Sequence, residues 1–155
     1  LADNGRVVMT SSTAHTRTYS EGIRLDDLDA SGGYSAWGAY GQSKLANILF
    51  TTQLSTKLKP AQTANAVHPG VIQTNLGRHM NILARTLIPV VSPIFLKSIP
   101  QGAATQTLVA THPSAAAQTG LYWSDCNPKE GSAFTRDTAL AEKLWTKTEE
   151  IVEGL

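Results

Sequence analysis

The 155-residue chain lacks the features of several large classes of protein. Cys126 is its only cysteine, which excludes an internal disulfide and favours a reducing, intracellular compartment such as the cytoplasm. The most apolar stretch, residues 82–96, is too short to span a bilayer and contains one arginine and two prolines, so no transmembrane segment is expected. The four histidines lie far apart in the sequence. We therefore expect no metal site and interpret each histidine as a surface or packing residue.

An excess of charge of one sign is also missing. The 13 basic and 12 acidic residues give a net charge of +1, and the basic residues are scattered, so nucleic-acid partners are not expected. Residues 1–5 are polar and turn-like, so no secretory leader is expected there. The apolar fraction of 41% and the charged fraction of 16% indicate one globular domain with a real core.

Strands and helices are predicted to alternate along the chain. Short apolar or β-branched runs predict strands at Arg6–Thr10, 63–67 and 120–123, and periodicity predicts helices over 37–58, 101–110 and 137–152. Residues 13–38 are typical of a long loop, and 74–100 of an irregular apolar segment. In the last helix the expected N-cap is Asp137, and the expected buried stripe is Leu140, Leu144, Thr148 and Ile151. The alternation predicts an α/β fold of about three parallel strands with flanking helices.

Polar residues suited to proton transfer cluster near one predicted strand end. Tyr40 and Lys44 are four residues apart on a predicted helix and therefore share a face. A neighbouring cation favours the phenolate form, so Lys44 lowers the cost of moving a proton through Tyr40. Ser12 follows the first strand and can hold a reacting oxygen by a hydrogen bond. Ligands of parallel sheets bind at the carboxyl ends of the strands, where Ser12 and Pro69-Gly70 are both expected.

Each of these residues also has a purely structural interpretation. Tyr40 and Lys44 can be an ordinary helical pair, and Ser12 can be a hydrogen-bonded loop serine. Pro69-Gly70 can be a turn that ends a strand, and Thr74 can be a helix cap. The residues taken one at a time leave both interpretations open.

Taken together, three motifs occur in the order of a known family. They are a strand ending in Ser11-Ser12, then Tyr40-x-x-x-Lys44, then Pro69-Gly70-x-x-x-Thr74. In this order they resemble the short-chain dehydrogenase/reductase pattern, and the residues around them are similar to retinol-dehydrogenase-like and WW-domain-oxidoreductase-like members. The resemblance implies a Rossmann-like, doubly wound sheet and an NAD(P)-dependent oxidoreductase, with NADP favoured over NAD.

The resemblance also implies a role for each matching position. Tyr40 is the general acid or base, Ser12 orients the substrate oxygen, and Lys44 stabilises the phenolate and binds the nicotinamide ribose. The implied catalytic set is therefore Ser12, Tyr40 and Lys44. The implied cofactor-binding set is Tyr40, Lys44, Pro69, Gly70, Ile72 and Thr74.

The sequence contains no Gly-x-x-x-Gly-x-Gly loop that could hold a pyrophosphate at a helix N-terminus. We therefore expect residues 1–155 to form a partial dinucleotide-binding oxidoreductase domain, its catalytic and substrate half, with the strand Arg6–Thr10 at an exposed edge. On its own, this half is expected to aggregate or to unfold without cooperativity, to bind cofactor weakly and to be inactive.

The main hypothesis is an oxidoreductase that interconverts an alcohol and a carbonyl compound, with a lipophilic or retinol-like substrate lined by residues 82–96. A homodimer through the Tyr40 helix is implied by the resemblance alone. The alternative is a non-catalytic truncated scaffold or interaction module that has lost cofactor binding. Serine hydrolysis is disfavoured because no Gly-x-Ser-x-Gly motif is present. Peripheral membrane contact by residues 82–96 stays open.

Overall fold

A mostly parallel sheet forms the centre of the molecule. The computed structural model describes residues 1–72 and 96–155. Its strands are β1 (Arg6–Thr10), β2 (Thr63–His68), β3 (Tyr122–Ser124) and β4 (Asn127–Pro128), in the order β1-β2-β3-β4. The first three strands pair in parallel, with Val8 opposite Asn65 and Val67 opposite Trp123. The predicted α/β fold with parallel strands is confirmed, and β1 lies at an edge of the described sheet, as expected.

The short strand β4 was not predicted. It pairs antiparallel with β3 through a two-residue turn, in which Asp125 and Cys126 have φ angles of 54° and 61°. Two consecutive residues with positive φ form the tight turn that suits the twist of a hairpin. Neither residue is a glycine, so the usual sequence signature of such a turn is absent.

Three helices flank the described sheet: α1 (Ala36–Ser55), α2 (Ile99–Thr111) and α3 (Thr138–Glu153). Each begins at a capping side chain, since Ser35 accepts a hydrogen bond from Gly38 N, Ser98 from Gln101 N and Asp137 from Leu140 N. The predicted cap at Asp137 is therefore confirmed. None of the helices in residues 1–72 and 96–155 is both long and apolar enough to cross a membrane.

Some predicted helix boundaries were wrong. Helix α1 ends at Ser55 rather than at residue 58, because the chain must turn back within seven residues to begin β2 at Thr63. The predicted loop 13–38 contains a 3₁₀ helix at Thr13–Arg17 and the first residues of α1. Of the predicted irregular segment 74–100, residues 74–95 lie outside the described residues. Its last two residues, 99 and 100, belong to α2.

The sheet is covered on both faces, as in a doubly wound domain. Alternate residues of β2 point to opposite sides. Ala66 packs with Ile48 of α1, and its neighbour Val67 packs with Val109 of α2. Helices α1 and α3 share a second cluster on the α1 side, formed by Ile23, Leu45, Leu49, Ala141 and Leu144.

The predicted stripe of α3 was partly wrong. Leu144 is buried, whereas Ile151 is 46% exposed. Ala141, which was not predicted, is fully buried instead. The reason is that α3 reaches the core cluster through Ala141 and Leu144 in its first half, so its last turns lie at the surface.

Candidate active site

A cavity of about 650 Å³ opens at the carboxyl ends of β1 and β2. Its walls come from three pieces of chain: residues 12–17 after β1, the first turns of α1, and residues 68–72 at the end of β2. Helix α1 contributes Trp37 and Tyr40, and the segment after β1 contributes Ser12 and Arg17. This volume lies in the range of small-molecule sites. The location is the one where parallel sheets bind ligands.

Tyr40 borders this cavity from the second turn of α1 and is 45% exposed. Lys44 lies one turn further along the helix, with Nζ 5.6 Å from the centroid of the Tyr40 ring. The same Nζ donates a hydrogen bond to the Thr10 carbonyl, at 3.4 Å. The ammonium therefore lies behind the phenol ring, next to the end of β1, and Lys44 is not among the residues that line the cavity.

Three hydrogen bonds hold the end of β1 against α1 around Lys44. Besides the Lys44 bond, Asn47 Nδ2 donates to the Thr10 carbonyl at 2.9 Å, and the buried Ser11 Oγ donates to the Lys44 carbonyl at 2.7 Å. These bonds fix where Tyr40 lies relative to the residues that follow β1. Sequence reasoning assigned no role to Ser11 or Asn47, because each bond joins residues more than 30 positions apart.

Ser12 lines the same cavity and also caps the 3₁₀ helix Thr13–Arg17. Its Oγ accepts a hydrogen bond from Ala14 N at 3.2 Å. A hydroxyl that accepts one bond still has a proton to donate. Capping and donation to a ligand are thus compatible, so the structural interpretation of Ser12 does not exclude the chemical one.

His15 secures the turn that carries Ser12, and the sequence had indicated only a surface or packing residue there. Its Nδ1 lies 2.7 Å from the Ser12 carbonyl, and its Nε2 accepts from Ser132 N at 3.1 Å. A carbonyl only accepts and an amide N–H only donates, so these partners require the proton on Nδ1. His15 is buried, and burial lowers the pKa of the imidazole, which keeps it neutral. Its ring packs against that of Tyr122 in a T-shaped arrangement, with the two ring centroids 5.1 Å apart.

The segment after β2 forms the other wall. Gly70 has φ of +88°, a conformation that favours glycine, and a Cβ there would meet the flexible end of the Lys97 side chain, 2.6 Å from Cδ. Lys97 N donates to the Val71 carbonyl at 2.8 Å, and Lys97 Nζ pairs with Asp125. Ile72 packs against Gly102 of α2, where a Cβ would be 2.3 Å from the Ile72 side chain. These contacts fix the course of residues 69–72 along the cavity.

Five of the predicted site residues thus border one cavity: Ser12, Tyr40, Pro69, Gly70 and Ile72. Thr74 lies outside the described residues. His68, which was not predicted, also lines the cavity, and burial together with the charge of Lys97 lowers its pKa. Within the described chain its Nδ1 is buried without a hydrogen-bond partner.

The chemistry of the cavity wall fits the nicotinamide end of a dinucleotide. Among the residues that the structure describes, its lining includes one arginine and no carboxylate, so no negative charge of the wall opposes an anionic ligand. The glycine-rich loop for the pyrophosphate is not in this sequence, so the fit is limited to the nicotinamide end. In residues 1–72 and 96–155, no group of three or more His, Cys, Asp or Glu side chains is arranged to hold a metal ion.

The chain is similar to several known dehydrogenases. It is 48% identical, over 97% of its length, to the short-chain dehydrogenase TIC 32 A, chloroplastic, of Brassica napus. It is 39% identical over 95% of its length to retinol dehydrogenase 14 of Mus musculus, and 38% identical over the same share to retinol dehydrogenase 12 of Homo sapiens. The chain spans only 48%, 44% and 45% of these relatives, about half of each. No protein-family model matches it.

A solved structure supports the same kinship. The crystal structure of an uncharacterized protein from Mycobacterium paratuberculosis superposes with a TM-score of 0.66 and 30% sequence identity. The match covers 96% of this chain and 50% of that one. The likeness to this solved structure agrees with the names of the curated relatives and with the parallel sheet that has helices on both faces. The chain belongs to the short-chain dehydrogenase/reductase family and is retinol-dehydrogenase-like within it.

Proposed function

We propose that this chain carries the proton-transfer half of an NAD(P)-dependent oxidoreductase that interconverts an alcohol and a carbonyl compound. The observation that carries the proposal is that Ser12 and Tyr40 border one cavity at the strand ends, with the Lys44 ammonium directly behind the Tyr40 ring. The names of the relatives, a short-chain dehydrogenase and retinol dehydrogenases, support it.

In this proposal, Ser12 donates a hydrogen bond to the substrate oxygen and holds it beside the phenol. During carbonyl reduction Tyr40 gives its proton to that oxygen, and during alcohol oxidation the phenolate takes the proton back. The Lys44 charge stabilises the phenolate form and so eases both directions. A nicotinamide cofactor, when bound, supplies or accepts the hydride.

The cofactor side of the proposal uses the wall after β2. Pro69, Gly70 and Ile72 line the cavity there and would contact the nicotinamide together with Tyr40. Lys44, which does not line the cavity, and Thr74 are added to the cofactor contacts by family resemblance alone. The described lining residues include no carboxylate, which supports an anionic ligand such as a dinucleotide. The preference for NADP over NAD also rests on the resemblance.

The proposed substrate is lipophilic and retinol-like, in line with the relatives named retinol dehydrogenases. The exposed side chains of Trp37 and Val71 give the cavity an apolar rim that supports this class. A reducing compartment inside the cell, the cytoplasm, is proposed from the lone cysteine. A homodimer through α1 is proposed from the resemblance alone.

The direct test is turnover of the protein as expressed from its own gene. Retinal and a series of straight-chain aldehydes are mixed with NADPH or NADH, and absorbance at the nicotinamide band is followed, with calorimetry of each cofactor beside it. We expect aldehyde-dependent oxidation of NADPH and saturable cofactor binding. Absence of both turnover and cofactor binding would favour the non-catalytic scaffold instead.

A further inference from the structure

Two side chains at the mouth of the cavity have no part in the proton transfer described above. Trp37 lies on α1 one turn before Tyr40, so the two aromatic rings are neighbours on one helix face. Its indole is 64% exposed and lines the cavity. The guanidinium carbon of Arg17 lies 5.6 Å from the centroid of the indole ring, and Arg17 lines the cavity as well. The cation thus lies over one face of the indole, on the same helix face as the proposed catalytic phenol.

The position of Arg17 is built into the packing of the loop on α1. A Cβ at Gly41 would lie 2.7 Å from both the carbonyl carbon and the oxygen of Arg17, so the Arg17 main chain touches the helix. One turn earlier, a Cβ at Gly38 would lie 2.7 Å from the ring of Tyr19. The two glycines allow Arg17 and the two residues that follow it to approach α1 closely. The guanidinium therefore extends from an anchored main chain.

The charge of Arg17 is not neutralised by a neighbour. In residues 1–72 and 96–155 it forms no ion pair; two carboxylates of its own loop have other partners, since Asp27 pairs with Arg24 and Glu21 accepts from Ser20. All 12 acidic residues of the chain lie outside positions 30–124. Residues 73–95 therefore cannot bring a carboxylate to this cation. Positions 30–124 supply Trp37, Tyr40 and the wall after β2, and their charged side chains are all basic.

We propose that the cavity takes a carbonyl or alcohol substrate that has an aromatic or conjugated body and a carboxylate. The body lies against the indole of Trp37, the carboxylate pairs with the guanidinium of Arg17, and the reacting oxygen faces Tyr40. This inference rests on the proposed oxidoreductase function and changes its substrate class: the lipophilic body is kept, and a carboxylate is added that a retinol-like compound lacks. A planar guanidinium matches a carboxylate with two parallel hydrogen bonds.

A neutral lipophilic substrate fits these residues less well. It would cover Arg17 and remove water from the guanidinium without supplying a partner, which is unfavourable for any cation. A carboxylate supplies that partner, and its bonds are strengthened as the aromatic body displaces water. The rim thus favours an acidic aromatic compound over a neutral one of the same shape.

The test compares two probes that differ only in charge: 4-formylbenzoate and its methyl ester. Calorimetry on the full protein measures both dissociation constants at low and high salt. We expect the acid to bind about tenfold or more tightly than the ester, with the difference shrinking at high salt. In Arg17→Gln the acid should lose about tenfold in affinity and the ester should be unchanged. Lys57→Gln is the matched control, since Lys57 is also stacked on an indole, that of Trp145, away from the cavity.

A second readout follows the indole itself. Binding of the acid should quench part of the tryptophan fluorescence in the parent protein and not in Trp37→Leu. Equal binding of acid and ester, an acid preference that survives Arg17→Gln, or failure of the acid to bind would each overturn the inference. Charge-selective binding without any turnover with NADPH would leave the inference standing and contradict the proposed oxidoreductase function instead.

Discussion

Replacing Gly41 by alanine tests whether close packing of the loop on α1 builds the active site. The added Cβ would lie 2.7 Å from two main-chain atoms of Arg17 and 2.8 Å from Thr18 N, and main-chain atoms cannot rotate away. Overpacking of this kind costs about 1–3 kcal/mol. The better helix propensity of alanine returns up to about 1 kcal/mol. Subtracting this gain from the upper end of the overpacking cost leaves an expected net loss in the free energy of unfolding of about 2 kcal/mol.

The assay is thermal unfolding of the protein as expressed from its own gene, followed by circular dichroism. For a domain of roughly 150–250 residues, a loss of about 2 kcal/mol lowers Tm by roughly 4–8 °C. Gly38→Ala is the matched control, because it lies on the same helix and its obstacle is the ring of the Tyr19 side chain rather than main-chain atoms. We expect Gly38→Ala to change Tm by less than half as much. A Gly41→Ala protein as stable as Gly38→Ala would refute the packing argument.

Two further predictions concern the loop that begins at Ser12. Ser12→Ala should lower turnover about 10²–10³-fold, because it removes a hydrogen-bond donor to the reacting oxygen. Ser20 is an exposed serine of the same loop, so Ser20→Ala is the control and should keep full turnover. Steady-state kinetics on both variants measures this difference. His15 is neutral in the folded protein because burial lowers its pKa, while the unfolded chain takes up a proton near the ordinary value of 6.5. The free energy of unfolding should therefore fall as the pH drops below 6.5. Between pH 7.5 and 5.5 the urea midpoint of His15→Asn should fall by less than that of the parent protein, and the pH dependence that is left comes from His68. An equal fall in both proteins would contradict this.

Local patterns predicted the regular elements well. The bounds of β1 were predicted correctly, because a polar turn precedes its apolar, β-branched run. The cap of α3 at Asp137 was also predicted, since a capping bond spans only three residues. The end of α1 was misjudged because Leu58 continues the helical period, although the chain has already left the helix to reach β2.

The candidate site could be predicted only as a set of residue types. Tyr40 and Lys44 share a helix face by local geometry, and Ser12 ends a strand. What holds these pieces together was invisible in the sequence, because it consists of long-range bonds. The hydrogen bond from Ser132 N to His15 Nε2 joins residues 117 positions apart, and no local sequence pattern around either residue predicts it.

Turnover of Tyr40→Phe, which removes the phenol oxygen and keeps the ring, tests most directly whether Tyr40 transfers the proton. We expect turnover with the best aldehyde and NADPH to fall by about 10²–10⁴-fold, the contribution of a general acid, while calorimetric binding of the cofactor stays within a few-fold of the parent protein. Tyr34→Phe, a change at a 74% exposed tyrosine, is the control and should keep full turnover. Unchanged turnover in Tyr40→Phe would contradict the assignment of the proton-transfer residue.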